Sequence, residues 1–445
     1  MKRKWIRWLV NRLLIACVLY AAFYTLLNLH LSSRIDATEE VLRGLGVAVS
    51  KEEFYVPGYD GPDAGPYWRA AAELWGAVAE EGTGESGDGP STGKFVRAYS
   101  LKDGEIRHSD TGESVGQATL AKLREIVSQN EHLFPLLMTA SRRPGYRSTL
   151  DYRMGFSCLM PHLKPAREMG HLCGIAAELA ILDGDRTQAI EHWTAMQGLG
   201  RWQGRDLTLI SQLVSLRIEQ TLCHSVQESL KIAEFTEAEL ESVHRLFATK
   251  RGYERDLVLS CNAEMVYGGL GLFDEALSGR GTASNPSIPL RGVSRLWVKG
   301  EKRLYMATFS KCLLQARALY DRSAPGLTRI SDDDRFPWYA LLNRILTPAY
   351  GRMADKFLEG EAFWCLTDCV LHLIRYKKAH GQYPESLAQL PAGAGPFDDP
   401  FARQPVRYLQ KGEGFVLYSV GENLQDDGGT ADGEDKDDIV VAFSK

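Results

Sequence analysis

The chain has 445 residues, of which 44% are hydrophobic and 24% charged. That balance belongs to ordinary globular proteins and excludes both wholesale disorder and a small disulfide-stapled scaffold. A formal net charge of -5, with no long basic stripe, argues against a nucleic-acid partner, because neutralising phosphates requires clustered Lys and Arg.

Basic residues crowd positions 1–12 (Lys2, Arg3, Lys4, Arg7, Arg12), and residues 13–31 (LLIACVLYAAFYTLLNLHL) are almost uninterruptedly apolar. At about 1.5 Å per residue such a run nearly matches a ~30 Å hydrocarbon layer, so a single transmembrane helix is predicted. The basic residues before it, against Asp36, Glu39 and Glu40 after it, predict a cytoplasmic N-terminus and an extracytoplasmic remainder at the inner (cytoplasmic) membrane. Trp5 and Trp8 sit where an interfacial belt would anchor the span.

Residues 32–115 read as a membrane-proximal segment, irregular around Pro57-Gly58 and helical over 67–78. A polar Gly/Ser/Glu tract at 80–93 predicts a flexible loop, and Asp103-Gly104 predicts the turn of a short hairpin over 95–108. Residues 116–350 are predicted to form an all-α domain, from apolar residues at three and four spacing over 120–138, 158–182, 187–199, 207–232, 237–247 and 304–320. Asp183-Gly184-Asp185 looks like the turn of a tetratricopeptide-type helix pair, but the pattern occurs once and supports no repeat array. Residues 278–292 have the composition of an exposed loop.

Catalytic signatures are scarce: no H-E-x-x-H, G-x-S-x-G, P-loop or dinucleotide fingerprint occurs. His162 and His171 lie nine apart, not at the i, i+4 spacing that aims two imidazoles at one ion, and read as packed or surface histidines. Asp332-Asp333-Asp334 reads as a solvated helix cap. The eight cysteines are dispersed with no C-x-x-C pair, and read as small core hydrophobes. No enzymatic activity is expected.

Residues 351–445 carry the densest pattern. A helix over about 353–379 should close at His380-Gly381, with Pro384 forbidding its return. Strands are predicted over 406–409 and 415–419, as a hairpin around Lys411 to Gly414, and over 439–443. Between the last two lies an acidic glycine-rich loop containing Asp426, Asp427, Gly428, Gly429, Asp437 and Asp438. Glycine lets a backbone fold tightly around a hard cation, so these four aspartates are the candidate metal ligands.

The ordered series Tyr376, Gly381, Tyr383-Pro384, Ser386-Leu387, Asp399-Pro400-Phe401, Arg407-Tyr408, Phe415 to Gly421, Asp426 to Gly429 and Asp437-Asp438-Ile439 resembles the C-terminal globular part of the major pseudopilins of type II secretion. The resemblance implies a helix packed on a small antiparallel sheet and a calcium ion held by the acidic loop. It covers about the last 90 residues. The chain lacks the pseudopilin leader, and Glu359, Glu361 and Asp368 make its helix near 360 unfit for a bilayer. Asn423 stands where that family usually has Asp. The whole arrangement also looks like large envelope proteins of planctomycete and verrucomicrobial genomes.

The expected molecule is therefore mainly α: a membrane-anchored structural or interaction protein of the cell envelope, whose partners are the membrane and other envelope proteins. An accessory role in a type II secretion or pilus-like machine is the alternative. A hydrolase using His162, His171 or the Asp332 cluster is a further one.

Overall fold

The structure is a computed structural model that describes residues 2–56, 61–79, 91–248, 251–278, 295–320, 340–346, 350–430 and 437–443. The Asp332 cluster and most of the predicted loops at 80–93 and 278–292 lie outside them. Helices dominate: α1 (Lys2–Gly44), α2 (Gly65–Ala79), α3 (Thr92–Arg97), α4 (Gln117–Gln129), α5 (Leu133–Ser141), α6 (Leu163–Leu182), α7 (Arg186–Gln203), α8 (Leu209–Ile232), α9 (Glu237–Phe247), α10 (Tyr253–Ala263), α11 (Gly271–Ser278), α12 (Arg295–Tyr320), α13 (Leu341–Leu346) and α14 (Tyr350–His380). Strands β1 (Tyr99–Lys102) and β2 (Glu105–His108) pair as an antiparallel hairpin. Strands β3 (Arg407–Lys411), β4 (Gly414–Ser419) and β5 (Ile439–Phe443) form an antiparallel sheet in the order β3-β4-β5. The mainly α class with a small C-terminal antiparallel sheet is thus what the chain adopts.

Helix α1 is long and apolar enough to cross a membrane, and it does not stop where the apolar run does. Its 43 residues span about 64 Å, so roughly the last third continues into the folded body. There Ile35 and Leu42 are buried in a core with Phe273, Tyr305 and Phe309. Lys299 Nζ on α12 donates to Asn28 Oδ1 at 2.8 Å and Ser32 Oγ at 2.6 Å. Helix α1 is therefore joined to the body by apolar packing and by hydrogen bonds, not by a tether.

The larger core is built by the antiparallel helices α6, α7 and α8, with Trp193, Met169, Leu199 and Leu222 fully buried. Gly184 at φ 82° lets the chain reverse between α6 and α7, and Asp185 caps α7 by accepting from Gln188 N at 2.9 Å. Helix α14 runs through the molecule as a shared spine. Its Trp364, Leu366, Val370 and Leu373 sit in one core with Trp193 and Phe235 of the body and Phe415, Leu417 and Phe443 of the sheet. Met353 and Phe357 join the other core. Continuous apolar packing thus crosses the boundary expected near residue 350.

Two local departures have physical causes. The run over 120–138 is two helices, because buried Asn130 turns its side chain back to Ile126 O at 2.8 Å and closes α4. Residues 253–278, where the sequence pattern gave no helix, form α10 and α11 joined by a π-helical stretch, Glu264–Leu270. A Cβ at Gly269 within that stretch would overlap the ring of Tyr305, so a residue that weakens the helical signal is what allows the helix to pack. The expected cysteine packing holds for Cys173, Cys223, Cys261, Cys312 and Cys369, all buried and unbridged.

Candidate functional site

The acidic segment lies between β4 and β5, which pair antiparallel; its residues 431–436 lie outside the described residues. Gly421, at φ 64°, lies so close to the carbonyl of Asp437 that any Cβ would overlap it. Much of the carboxylate capacity is used internally. Asp426 Oδ1 accepts from Tyr418 Oη at 2.9 Å and from Gly428 N at 3.1 Å, and its Oδ2 lies 3.4 Å from Arg407 Nε. The Tyr418 hydrogen bond holds the Asp426 carboxyl below its ordinary range. Asp427 Oδ2 accepts from Asn423 Nδ2 at 2.9 Å. Asp437 is exposed. Asp438 is buried, its Oδ2 accepts from Gly429 N at 2.9 Å, and its Oδ1 has no hydrogen-bond partner. Burial, with the charges of Asp427 and Asp426, raises the Asp438 carboxyl. The open acceptor for a cation in this loop is therefore Asp438 Oδ1.

His162 and His171 sit at separate places on and before α6. His162 Nε2 is 2.8 Å from Asp206 Oδ2, a fully buried carboxylate that also accepts from Tyr146 Oη at 2.9 Å. This is a satisfied interior network. His171 lines a cavity of about 380 Å³ that the β1–β2 hairpin closes over α6 and α8.

That cavity is the most distinctive polar feature among the described residues. Helix α6 lines it with His171, Gly174 and Glu178, spaced by three and four, with Arg167 one turn before His171 and outside the lining; helix α8 lines it with Arg217, Gln220, Thr221 and His224, spaced by three, one and three. Both spacings put a polar stripe on one face of an otherwise buried helix. The Asp103-Gly104 turn, at φ 52° and 82°, folds the hairpin tightly. The hairpin and the end of α3 bring Arg97, Lys102 and Arg107 to the same cavity. Leu101, buried under the hairpin, donates its N–H to Glu178 Oε2 at 2.8 Å, and its carbonyl lies 3.1 Å from His224 Nε2.

The charges here are unbalanced. The Nε atoms of Arg97, Arg107 and Arg167 are buried without a hydrogen-bond partner. Arg107 is paired with Glu105 at 3.4 Å, whereas among the described residues no ion pair joins Arg97, Arg167 or Arg217 to an acid. Burial, then Arg217, Arg97 and Arg167, push His171 down to about 3, so it stands neutral among cations. Burial pushes Glu178 up to about 8, so at neutral pH it carries no compensating charge. Glu359 at the rim already accepts from Lys356 Nζ at 2.6 Å. Arg97, Arg107 and Arg217 line this roomy cavity, and among the described residues only Arg107 is ion-paired; such a cluster suits an oxyanion, which guanidinium groups bind through paired N–H donors.

Sequence reading missed this place because its residues come from three distant stretches and match no motif. The available signal was the pair of polar stripes on α6 and α8, which interrupt runs of core residues. Comparison with protein-family models, with curated proteins and with solved structures found no match to the chain.

Proposed function

We propose that the protein is a single-pass, membrane-anchored binding protein of the cell envelope, with its helical body outside the cytoplasm and an oxyanion-bearing ligand held in the arginine-lined cavity. The observation that carries the reading is the excess of cationic groups around that cavity. Like charges gathered in a protein interior repel, and a bound anion is the simplest way to relieve them. The continuous α1 supports the anchored arrangement, because its outer third is part of the body's core and cutting the chain after the apolar run would break a helix. The charge bias around residues 13–31 orients it. The C-terminal module, with calcium held through Asp427 and Asp438 as the pseudopilin resemblance implies, contributes stability rather than chemistry.

Thermal melts of the full-length chain in detergent test this reading, since a ligand that binds only the folded form raises the melting temperature by mass action. Inorganic phosphate should raise it by a few degrees relative to chloride at equal ionic strength, and the pair Arg97→Gln and Arg217→Gln should remove the shift. Phosphate and chloride melts that coincide, or a shift that survives both substitutions, would reject the anion site. In the same assay calcium should stabilise the chain and Asp438→Asn should abolish that response.

A further inference from the structure

Helices α9 and α14 bring together three ligand-type side chains that the sequence separates by more than a hundred residues. Asp368 and His372 are i, i+4 on α14 and so share a face. His244 approaches them from α9. Its Nε2 is 3.5 Å from Asp368 Oδ1, and His372 Nε2 is 4.0 Å from the same oxygen. Ligand atoms of all three residues lie within 4.8 Å of one another, the only set of three His, Cys, Asp or Glu residues among the described residues that does so. Asp368 Oδ1, at the centre, is buried and has no hydrogen-bond partner. An orphaned carboxylate oxygen between two imidazoles needs a positive partner.

The frame around the three is fixed on both sides. One turn before Asp368, Trp364 Nε1 donates to Phe247 O at 3.3 Å, at the end of α9. Two turns beyond it, Arg375 bridges to Glu237 at 2.6 Å and Glu241 at 3.1 Å. The start of α9 is set by a capping box between Thr236 and Glu239. The two helices therefore hold their spacing without an ion. The rings of His244 and His372 meet at 82°, 4.9 Å between centroids, leaving both Nε2 atoms beside the carboxylate.

We propose that His244, Asp368 and His372 form a binding site for a divalent transition-metal ion of the zinc class. Two imidazoles and one carboxylate are a donor set that zinc favours, at about 2.0–2.1 Å from each donor. A tetrahedron of that radius has edges of about 3.3 Å, close to the 3.5 Å and 4.0 Å found, so small side-chain rotations suffice. The side chains are 17% to 28% exposed, which leaves the ion an approach path and a fourth position for water. Bound there, the ion staples α9 to the spine helix α14.

The test is metal titration of the full-length, chelator-stripped chain in detergent, with zinc and then cobalt as probes. One equivalent of zinc should bind, and cobalt should give the visible absorption of a four-coordinate N/O site. His244→Gln and His372→Gln, each checked for unchanged helicity and melting in chelator, should each weaken zinc binding at least tenfold and abolish the cobalt band. Absence of zinc binding to the wild-type chain would overturn the proposal. So would binding that survives both histidine substitutions, or that is lost instead in Asp438→Asn, which would place the ion in the acidic loop.

Discussion

Replacing Arg251 by Met is expected to destabilise the helical body by about 3–5 kcal/mol, the usual cost of removing one partner from a buried ion pair. The guanidinium is 11% exposed and serves several acceptors from two helices. Its Nε donates to Asp256 Oδ2 at 2.9 Å, and its Nη1 to Ser215 Oγ at 2.7 Å and Glu219 Oε1 at 3.2 Å. Its Nη2 donates to Gln212 Oε1. The rings of Tyr253 and Phe357 lie 5.6 and 5.7 Å from its Cζ. Burial raises the Glu219 carboxyl, and Arg251 is the group that opposes this. Without the arginine, Glu219 loses its ion-pair partner in the interior and Asp256 keeps only the exposed Arg255, at 3.0 Å. Chemical denaturation should show the loss, and adding Glu219→Gln to Arg251→Met should recover part of it, because the cost resides in the stranded carboxylates. A loss below about 1 kcal/mol for Arg251→Met would show that the network is peripheral to the fold.

Asp399→Ala should cost about 3 kcal/mol, since hydrogen bonds to a charged acceptor contribute roughly 1.5–3 kcal/mol each and buried donors left unpaired are penalised. Asp399 is fully buried. Its Oδ1 accepts from Phe401 N at 2.9 Å and Ser419 Oγ at 2.7 Å, and its Oδ2 from Val420 N at 2.9 Å. One side chain thus joins the loop before β3 to the end of β4. Hydrogen exchange locates the damage: the amides of Phe401 and Val420 should lose protection, while those of α6 to α8 should not. Equal loss across the body would mean that the sheet and the helices unfold as one unit, which the shared core along α14 makes a real alternative.

How much of this was legible in the sequence varies with the distance over which the signal acts. Local signals served well. Asp103-Gly104 set a hairpin turn, Thr236 and Glu239 set the start of α9, and Gly381 at φ 80° closes α14. The order of C-terminal strands was also readable, because alternation and glycine placement act over a few residues. Signals that depend on tertiary approach were not. Gly268 and Gly269 conceal a helix in which they give room to the rings of Phe156 and Tyr305 respectively. The arginines at 97, 167 and 217, and the histidines at 244 and 372, become sites only when helices distant in sequence lie side by side. The four aspartates of the loop show the opposite limit: spacing indicated a cluster, but only coordinates show Asp426 committed to Tyr418 and Gly428 and Asp438 holding the open oxygen.

Both proposed ligand sites and the module at the C-terminus lie beyond α1, so the proposed anchored arrangement depends on which side of the membrane the body occupies. Reporter fusion after Lys445 measures this directly. A reporter active only outside the cytoplasm should be active there, and a reporter active only in the cytoplasm should be silent. The opposite pair of results would place the body in the cytoplasm and contradict the central claim of an extracytoplasmic, membrane-anchored binding protein.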